Sequence, residues 1–179
     1  MIRSGTTFRL FVYLIAFGGN TGNREQNAHG SLAHLQSFGR LGRQSTWTYT
    51  QPLRSSQYQT DDHGEYLNFV FEFASELEPH DLYAKICMIE DQFGHDRVQR
   101  WRPRAVDFDL LFYARSNSSA SEFRVQDSII YQAEDSSLRI PHPEVWQRDF
   151  LLNMIEADLK ISLVELRDFF CTNKVEREN

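Results

Sequence analysis

The sequence predicts an α+β domain: a ferredoxin-like β-α-β-β-α-β sheet with two covering helices, followed by C-terminal helices. Three stretches predict it. Tyr66 to Phe73 alternates strictly, with Leu67, Phe69, Phe71 and Phe73 on one face and Tyr66, Asn68, Val70 and Glu72 on the other. Ser75 to Gly94 carries Leu82, Ile86, Ile89 and Phe93 at i, i+4, i+7 and i+11, the stripe of an amphipathic helix. Val106 to Tyr113 alternates again, with Val106, Phe108, Leu110 and Phe112 against Asp107, Asp109, Leu111 and Tyr113.

The remaining elements follow in chain order. Phe11 to Phe17 is apolar on both faces, as a central strand should be. Arg3 and Arg9 precede it, as basic residues precede a signal peptide. The run is too short to span a membrane, and its β-branched and aromatic residues predict a buried strand. Gly18-Gly19-Asn20-Thr21-Gly22-Asn23 makes a tight strand-to-helix turn. It is not a P-loop, having no Lys. Asn23 caps a helix to about Phe38, with Ala28, Leu32 and Leu35 inward and Gly39 as its stop. Gln44 to Thr50 reads as a strand that Gln51-Pro52-Leu53 breaks, and Arg54 to Gly64 as a long polar loop.

Pro79 suits the first turn of the following helix, and Gly94 its end. After Tyr113, residues 114–137 form a polar surface loop with a short strand at Ser128 to Tyr131. Leu138 to Pro143 is extended, since residues before proline disfavour helix. Helices are expected over Glu144 to Ala157 and Ser162 to Phe170, and residues 171–179 as a frayed tail. No repeat divides the chain. A single domain, 1–179, is expected, with its core over about 10–157 and one sheet face left open.

Net charge is −6 and apolar content is 41%. An acidic globular chain is no general nucleic-acid binder, and no membrane partner is expected. Lysine is confined to Lys85, Lys160 and Lys174, so positive charge is nearly all Arg. Cys87 and Cys171 have no metal-ligand spacing, and reduced thiols in the cytoplasm are the expectation. The chain is expected to be a monomer or weak homodimer.

Chemistry concentrates in Arg97 to Tyr113, RVQRWRPRAVDFDLLFY. Asp107 and Asp109 share one strand face, about 6.5–7 Å apart along the chain. Two adjacent carboxylates repel, and without a cation one of them tends to hold its proton. With Mg²⁺ they become hard oxygen ligands whose remaining partners are waters and phosphates. Arg97, Arg100, Arg102 and Arg104 lie beside them, and guanidinium binds phosphate oxygens in pairs. This combination points to phosphoryl or pyrophosphoryl transfer by positioning and charge neutralisation.

Four motifs in order carry a resemblance: Gly18-Gly19-Asn20; Tyr66-Leu67-Asn68; Arg100-Trp101-Arg102-Pro103-Arg104-Ala105-Val106-Asp107-Phe108-Asp109; and Ile140-Pro141-His142-Pro143 followed by Arg148-Asp149-Phe150. With them the chain resembles 6-hydroxymethyl-7,8-dihydropterin pyrophosphokinase over about Tyr13 to Ile155. The resemblance implies transfer of pyrophosphate from ATP to the pterin hydroxymethyl group, with AMP released in folate biosynthesis. ATP is then a co-substrate, and two Mg²⁺ ions are held by Asp107 and Asp109. It implies a pterin site of Thr50, Leu53, Tyr66, Asn68 and Phe150. Glu90, Trp101, His142 and Arg148 fall at ATP positions, and Arg97, Arg104 and His95 at catalytic ones.

The chain departs from the family pattern in places, among them Thr48-Tyr49-Thr50 for the family's Tyr-x-Thr and a longer loop from Ala114 to Ser137. Gly94-His95-Asp96-Arg97 stands where the family has Gly-Arg-x-Arg, so a titratable imidazole replaces a permanent cation. Arg102 replaces the signature glycine. Two further readings use the same residues: a pterin- or nucleotide-binding homologue with weakened catalysis, and a ferredoxin-like interaction module without a small-molecule site.

Overall fold

A computed structural model describes residues 9–52, 64–95, 102–116, 122–135 and 137–175. Strand β1 (Leu10–Gly19) leads into helix α1 (Arg24–Leu35), then β2 (Arg40–Gln44), β3 (Thr48–Thr50) and β4 (Tyr66–Ser75). Helix α2 (Pro79–Gln92) precedes β5 (Asp107–Ser116). The order β-α-β-β-α-β thus holds, with β2 and β3 together as the second strand. The sheet runs β2-β4-β1-β5, entirely antiparallel, with β3 also on β4. The most apolar strands, β1 and β4, are its centre, as burial on both faces requires.

Local chemistry sets the element ends. Asn23 Oδ1 accepts the Gln26 N–H at 3.1 Å and caps α1. The second strand splits at Ser45. Its N–H donates to Val70 O at 2.8 Å, while its Oγ accepts the Val70 N–H at 2.9 Å. A hydroxyl there replaces a backbone carbonyl, and the strand is interrupted before Thr48; its pairing begins earlier than expected, at Arg40. Helix α2 starts at Pro79 rather than Ser75, because β4 runs on through Ser75.

The helix-facing core holds Phe17, Phe69, Phe71 and Phe73 against Leu32, Leu35, Leu82, Ile86 and Ile89. The expectation of an open second face is corrected. A second core there joins Val12, Leu14, Val70 and Phe112 to Leu151, Ile155, Leu159, Leu166 and Phe170. These last belong to α3 (Asp149–Asn153), the wide turn Met154–Asp158 with Leu159 just after it, and α4 (Leu163–Val175). Burying one such side chain contributes about 1.5–3 kcal/mol, so the C-terminal helices are integral to the sheet.

The strict alternation expected for β5 also fails at one point. Leu14 pairs with Phe112, but Ile15 pairs with Leu110, so Leu111 is an extra residue. This bulge places Leu111 and Phe112 both on the second face and turns Tyr113 to the first. Tyr113 stacks there on Tyr13, with centroids 5.7 Å apart.

Part of the 114–137 stretch is internal. Phe123 is 4% exposed, and its N–H donates to Glu72 at 2.9 Å. The short strand lies later than expected, as β6 (Tyr131–Gln132), and pairs with β7 (Arg139–Ile140). The single helix expected from Glu144 is broken. A 3-10 turn, Val145–Gln147, ends at Arg148 with φ −107° and ψ 75°, and α3 starts anew. The final helix runs to Val175, beyond the expected Phe170.

Candidate active site

The site grows from the register of three strands. Gly18 of β1 pairs with Asn68 of β4 on one side and Asp107 of β5 on the other. Ala16 pairs with Val70 and Asp109 in the next same-face row. Directly paired residues project to one side of a sheet. Asn68 and Asp107 therefore flank Gly18 on the second face, about 10 Å apart across two strand spacings. Further along β1 that face carries Leu14 and Val12 under the C-terminal helices. At Gly18 and Ala16 the side chains vanish or shrink, and a cleft of about 430 Å³ opens. A Cβ on Gly18 would already stand 3.3 Å from Asn68 Oδ1.

One wall of the cleft is polar and neutral. Asn68, 7% exposed, donates from Nδ2 to Thr50 Oγ1 at 2.8 Å. Tyr66 lines the same wall, and burial raises its phenol pKa. Phe150 and Leu151 close the cleft from the start of α3. The backbone break at Arg148 is what turns Arg148 and Phe150 inward instead of continuing one helix.

The opposite wall is ionic. Arg104 donates from Nη1 to Asp107 Oδ1 at 2.7 Å. Arg148 donates from Nη1 to Asp109 Oδ2 at 2.6 Å and from Nη2 to Glu144 at 2.7 Å. His142 Nε2 lies 3.6 Å from Asp109 Oδ1, and its backbone N–H donates to Leu111 O at 3.0 Å. Burial and the Asp109 charge push the Asp107 carboxyl above its usual range, with Arg104 pulling the other way. Desolvation works against the Arg148 charge, yet Asp109 and Glu144 outweigh it and raise its pKa. Each carboxylate thus has a guanidinium partner already in place. The paired aspartates offer the hard oxygen donors that Mg²⁺ takes, so the donor set fits that ion.

Of the expected site residues, Thr50, Tyr66, Asn68, Arg104, Asp107, Asp109, His142, Arg148 and Phe150 all line this cleft. Leu53, Arg97 and Trp101 lie outside the described residues. Glu90 and His95 are not brought into it. Glu90 is 3% exposed on α2 and accepts the Phe108 N–H at 2.7 Å. The His95 N–H donates to Glu90 O at 3.1 Å, and its Nδ1 lies 3.9 Å from the Glu90 carboxylate. The start of β5 holds both, so they approach Asp107 from outside the cleft; a ligand atom of each of the three lies within 4.8 Å of the others.

Sequence reasoning overlooked Glu144 and Ala16. Glu144 could have been found, since it stands four residues before Arg148. Ala16 could not, because a small residue in an apolar strand gives no signal until its neighbours are known.

The chain matches a family model described as 7,8-dihydro-6-hydroxymethylpterin-pyrophosphokinase over residues 14–159. It is 30% identical over 161 residues to a folate synthesis bifunctional protein of Chlamydia trachomatis, covering 89% of this chain and 33% of that protein. It is 34% identical over 143 residues to a folic acid synthesis protein of Dictyostelium discoideum, covering 79% of this chain but 18% of the relative. A 2-amino-4-hydroxy-6-hydroxymethyldihydropteridine pyrophosphokinase of Bacillus subtilis is 31% identical over 143 residues, 77% of this chain and 72% of that one.

Proposed function

The chain belongs to the 7,8-dihydro-6-hydroxymethylpterin-pyrophosphokinase family, and on that premise we propose that it transfers pyrophosphate from ATP to the hydroxymethyl group of 6-hydroxymethyl-7,8-dihydropterin, releasing AMP, in folate biosynthesis. The observation that carries the reading is the row Asn68–Gly18–Asp107. It sets a neutral amide wall and an ionic wall on either side of a bare strand. A flat heterocycle fits between them with its reactive arm toward the charges.

The pterin lies over Gly18 against Asn68, Thr50 and Tyr66. With Nδ2 on Thr50, Asn68 turns Oδ1 toward the floor, where a ring N–H can donate to it. Phe150 covers the ring face. ATP lies along the ionic wall. Two Mg²⁺ ions held by Asp107 and Asp109 would neutralise charge on the phosphate oxygens. Arg104 and Arg148 turn from the carboxylates to the phosphates as bidentate donors. His142, 3.6 Å from Asp109, is close enough to follow, and the family resemblance assigns Arg97 and Trp101, outside the described residues, to the same substrate.

The hydroxymethyl oxygen attacks the β-phosphorus. The bond from that phosphorus to the oxygen bridging to the α-phosphate breaks. AMP leaves with that oxygen, and the hydroxyl proton passes to solvent. The protein's part is alignment and charge, since this chemistry needs no covalent intermediate.

No helix among the described residues is long and apolar enough to cross a membrane. Cys171 is an exposed free thiol, which fits a cytoplasmic enzyme. Incubation with ATP, Mg²⁺ and the reduced hydroxymethylpterin tests the proposal. AMP and the pterin diphosphate are the expected products. ADP instead of AMP, or no pterin-dependent turnover, would refute it.

A further inference from the structure

The Gly18-Gly19-Asn20 turn has no phosphate-binding loop, and the cleft uses only Gly18. Its other two residues meet a different segment. The Asn20 N–H donates to Arg104 O at 2.9 Å, and Asn20 Oδ1 accepts the Arg104 N–H at 2.8 Å. Both backbone groups of Arg104 are therefore taken by one residue, 84 positions earlier in the chain. Asn20 is 8% exposed, and its Nδ2 is buried without a partner among the described residues. The Arg104 pairing, not a polar network at Nδ2, therefore orients that side chain. A Cβ on Gly19 would stand 2.5 Å from Ala105 O, so glycine is needed for the approach. Residues 102–106 belong to no strand or helix, so no sheet ladder fixes Arg104.

We propose that Asn20 is a positioning residue for Arg104, with Gly19 as the spacer that lets it reach. Asn20 holds the root of the side chain, and Asp107 receives its tip at 2.7 Å. The guanidinium is thereby aimed at the oxygens of the transferring group before ATP arrives. This rests on the reading of Arg104 as a phosphate contact. Misplacing an aligned group by about 1 Å can lower turnover on the order of 100-fold, so a two-bond pin on a loop residue has a catalytic consequence that neither bond has for the core.

The test uses Asn20→Ala, Arg104→Ala and the double variant, with amide hydrogen exchange at Arg104 beside the kinetics. Asn20→Ala should speed exchange of the Arg104 amide at least tenfold, as expected for a lost closing bond. It should lower kcat for AMP release about 10- to 100-fold while KM for the pterin stays within about twofold. The double variant should lose no more than Arg104→Ala alone, because both changes remove one aligned group. Additive losses, or a kcat unchanged by faster exchange, would overturn the proposal. Arg104→Ala with parental turnover would refute the phosphate contact itself, a distinct result. Should Asn20→Ala fail to fold, Asn20→Asp keeps the acceptor at the same reach. It should retain slow exchange and near-parental kcat, and a folded Asp variant with slow exchange but collapsed kcat would overturn the idea. Gly19→Ala should reproduce the kcat loss by pushing on Ala105 O.

Discussion

Asn68→Ala tests the neutral wall directly. Asn68 is nearly buried between Gly18 and Thr50, and its Nδ2 bonds Thr50 Oγ1 at 2.8 Å. The substitution removes the amide that would read the pterin edge and leaves Thr50 and a bound ring N–H without partners. Each buried polar group so stranded costs about 1–3 kcal/mol, which weakens pterin binding roughly 5- to 150-fold. The effect on ATP should be small, since Asp107 of the ionic wall lies across the bare strand, about 10 Å away. Stability should fall modestly. One lost hydrogen bond of about 1 kcal/mol lowers Tm by roughly 2–4 °C in a domain of this size. Calorimetry with a pterin substrate analogue and, separately, with a non-hydrolysable ATP analogue and Mg²⁺ gives both affinities. Equal pterin affinity in the two proteins would remove Asn68 from the site. Matching losses for both ligands would mean the change disturbed the sheet instead.

Asp107→Ala and Asp109→Ala should each abolish AMP release while far-UV circular dichroism stays parental, and near-normal turnover at limiting Mg²⁺ would refute the metal assignment. Asp107→Asn should raise the Tm of the ligand-free protein at pH 7. Burial and Asp109 raise the folded-state pKa of Asp107, so this group adds stability below the unfolded carboxyl pKa of about 4 and loses it as pH rises. The advantage of Asn should therefore shrink on acidification, and a gap independent of pH in EDTA would contradict the sign. Glu72 is fully buried and accepts Arg43 Nη2 at 2.6 Å, Arg43 Nε at 2.9 Å and the Phe123 N–H at 2.9 Å. Glu72→Ala should cost about 3 kcal/mol, the low end for a broken buried pair because Arg43 can rehydrate. A Tm loss of roughly 6–12 °C is expected, with KM for both substrates unchanged; a Tm within 2 °C would mean the pair is neutral.

Periodicity alone determined that Leu67, Phe69, Phe71 and Phe73 of β4 share the face under α1 and α2, because a two-residue repeat admits one orientation once four aromatic or aliphatic residues share a side. It also put Asp107 and Asp109 together, since neighbours two apart on a strand cannot separate. Motif order supplied most of the cleft residues, among them Thr50, Asn68, His142 and Arg148. What periodicity could not reach were events that depend on a neighbour. The bulge at Leu111 exists because β1 and β5 pair with unequal lengths, and it moves Phe112 and Tyr113 to the faces opposite those expected. The split at Ser45 needs Val70 opposite it. The second face is closed only because a broken C-terminal helix folds back over it, and the break at Arg148 has no local breaker residue to announce it. His95 and Glu90 lie near the site in sequence, yet the edge of β5 holds both outside the cleft, through the Phe108 amide and the Val106 carbonyl. The pin from Asn20 to Arg104 spans 84 positions of the chain, and only a sheet that lays β1 beside β5 brings its two ends within a hydrogen bond.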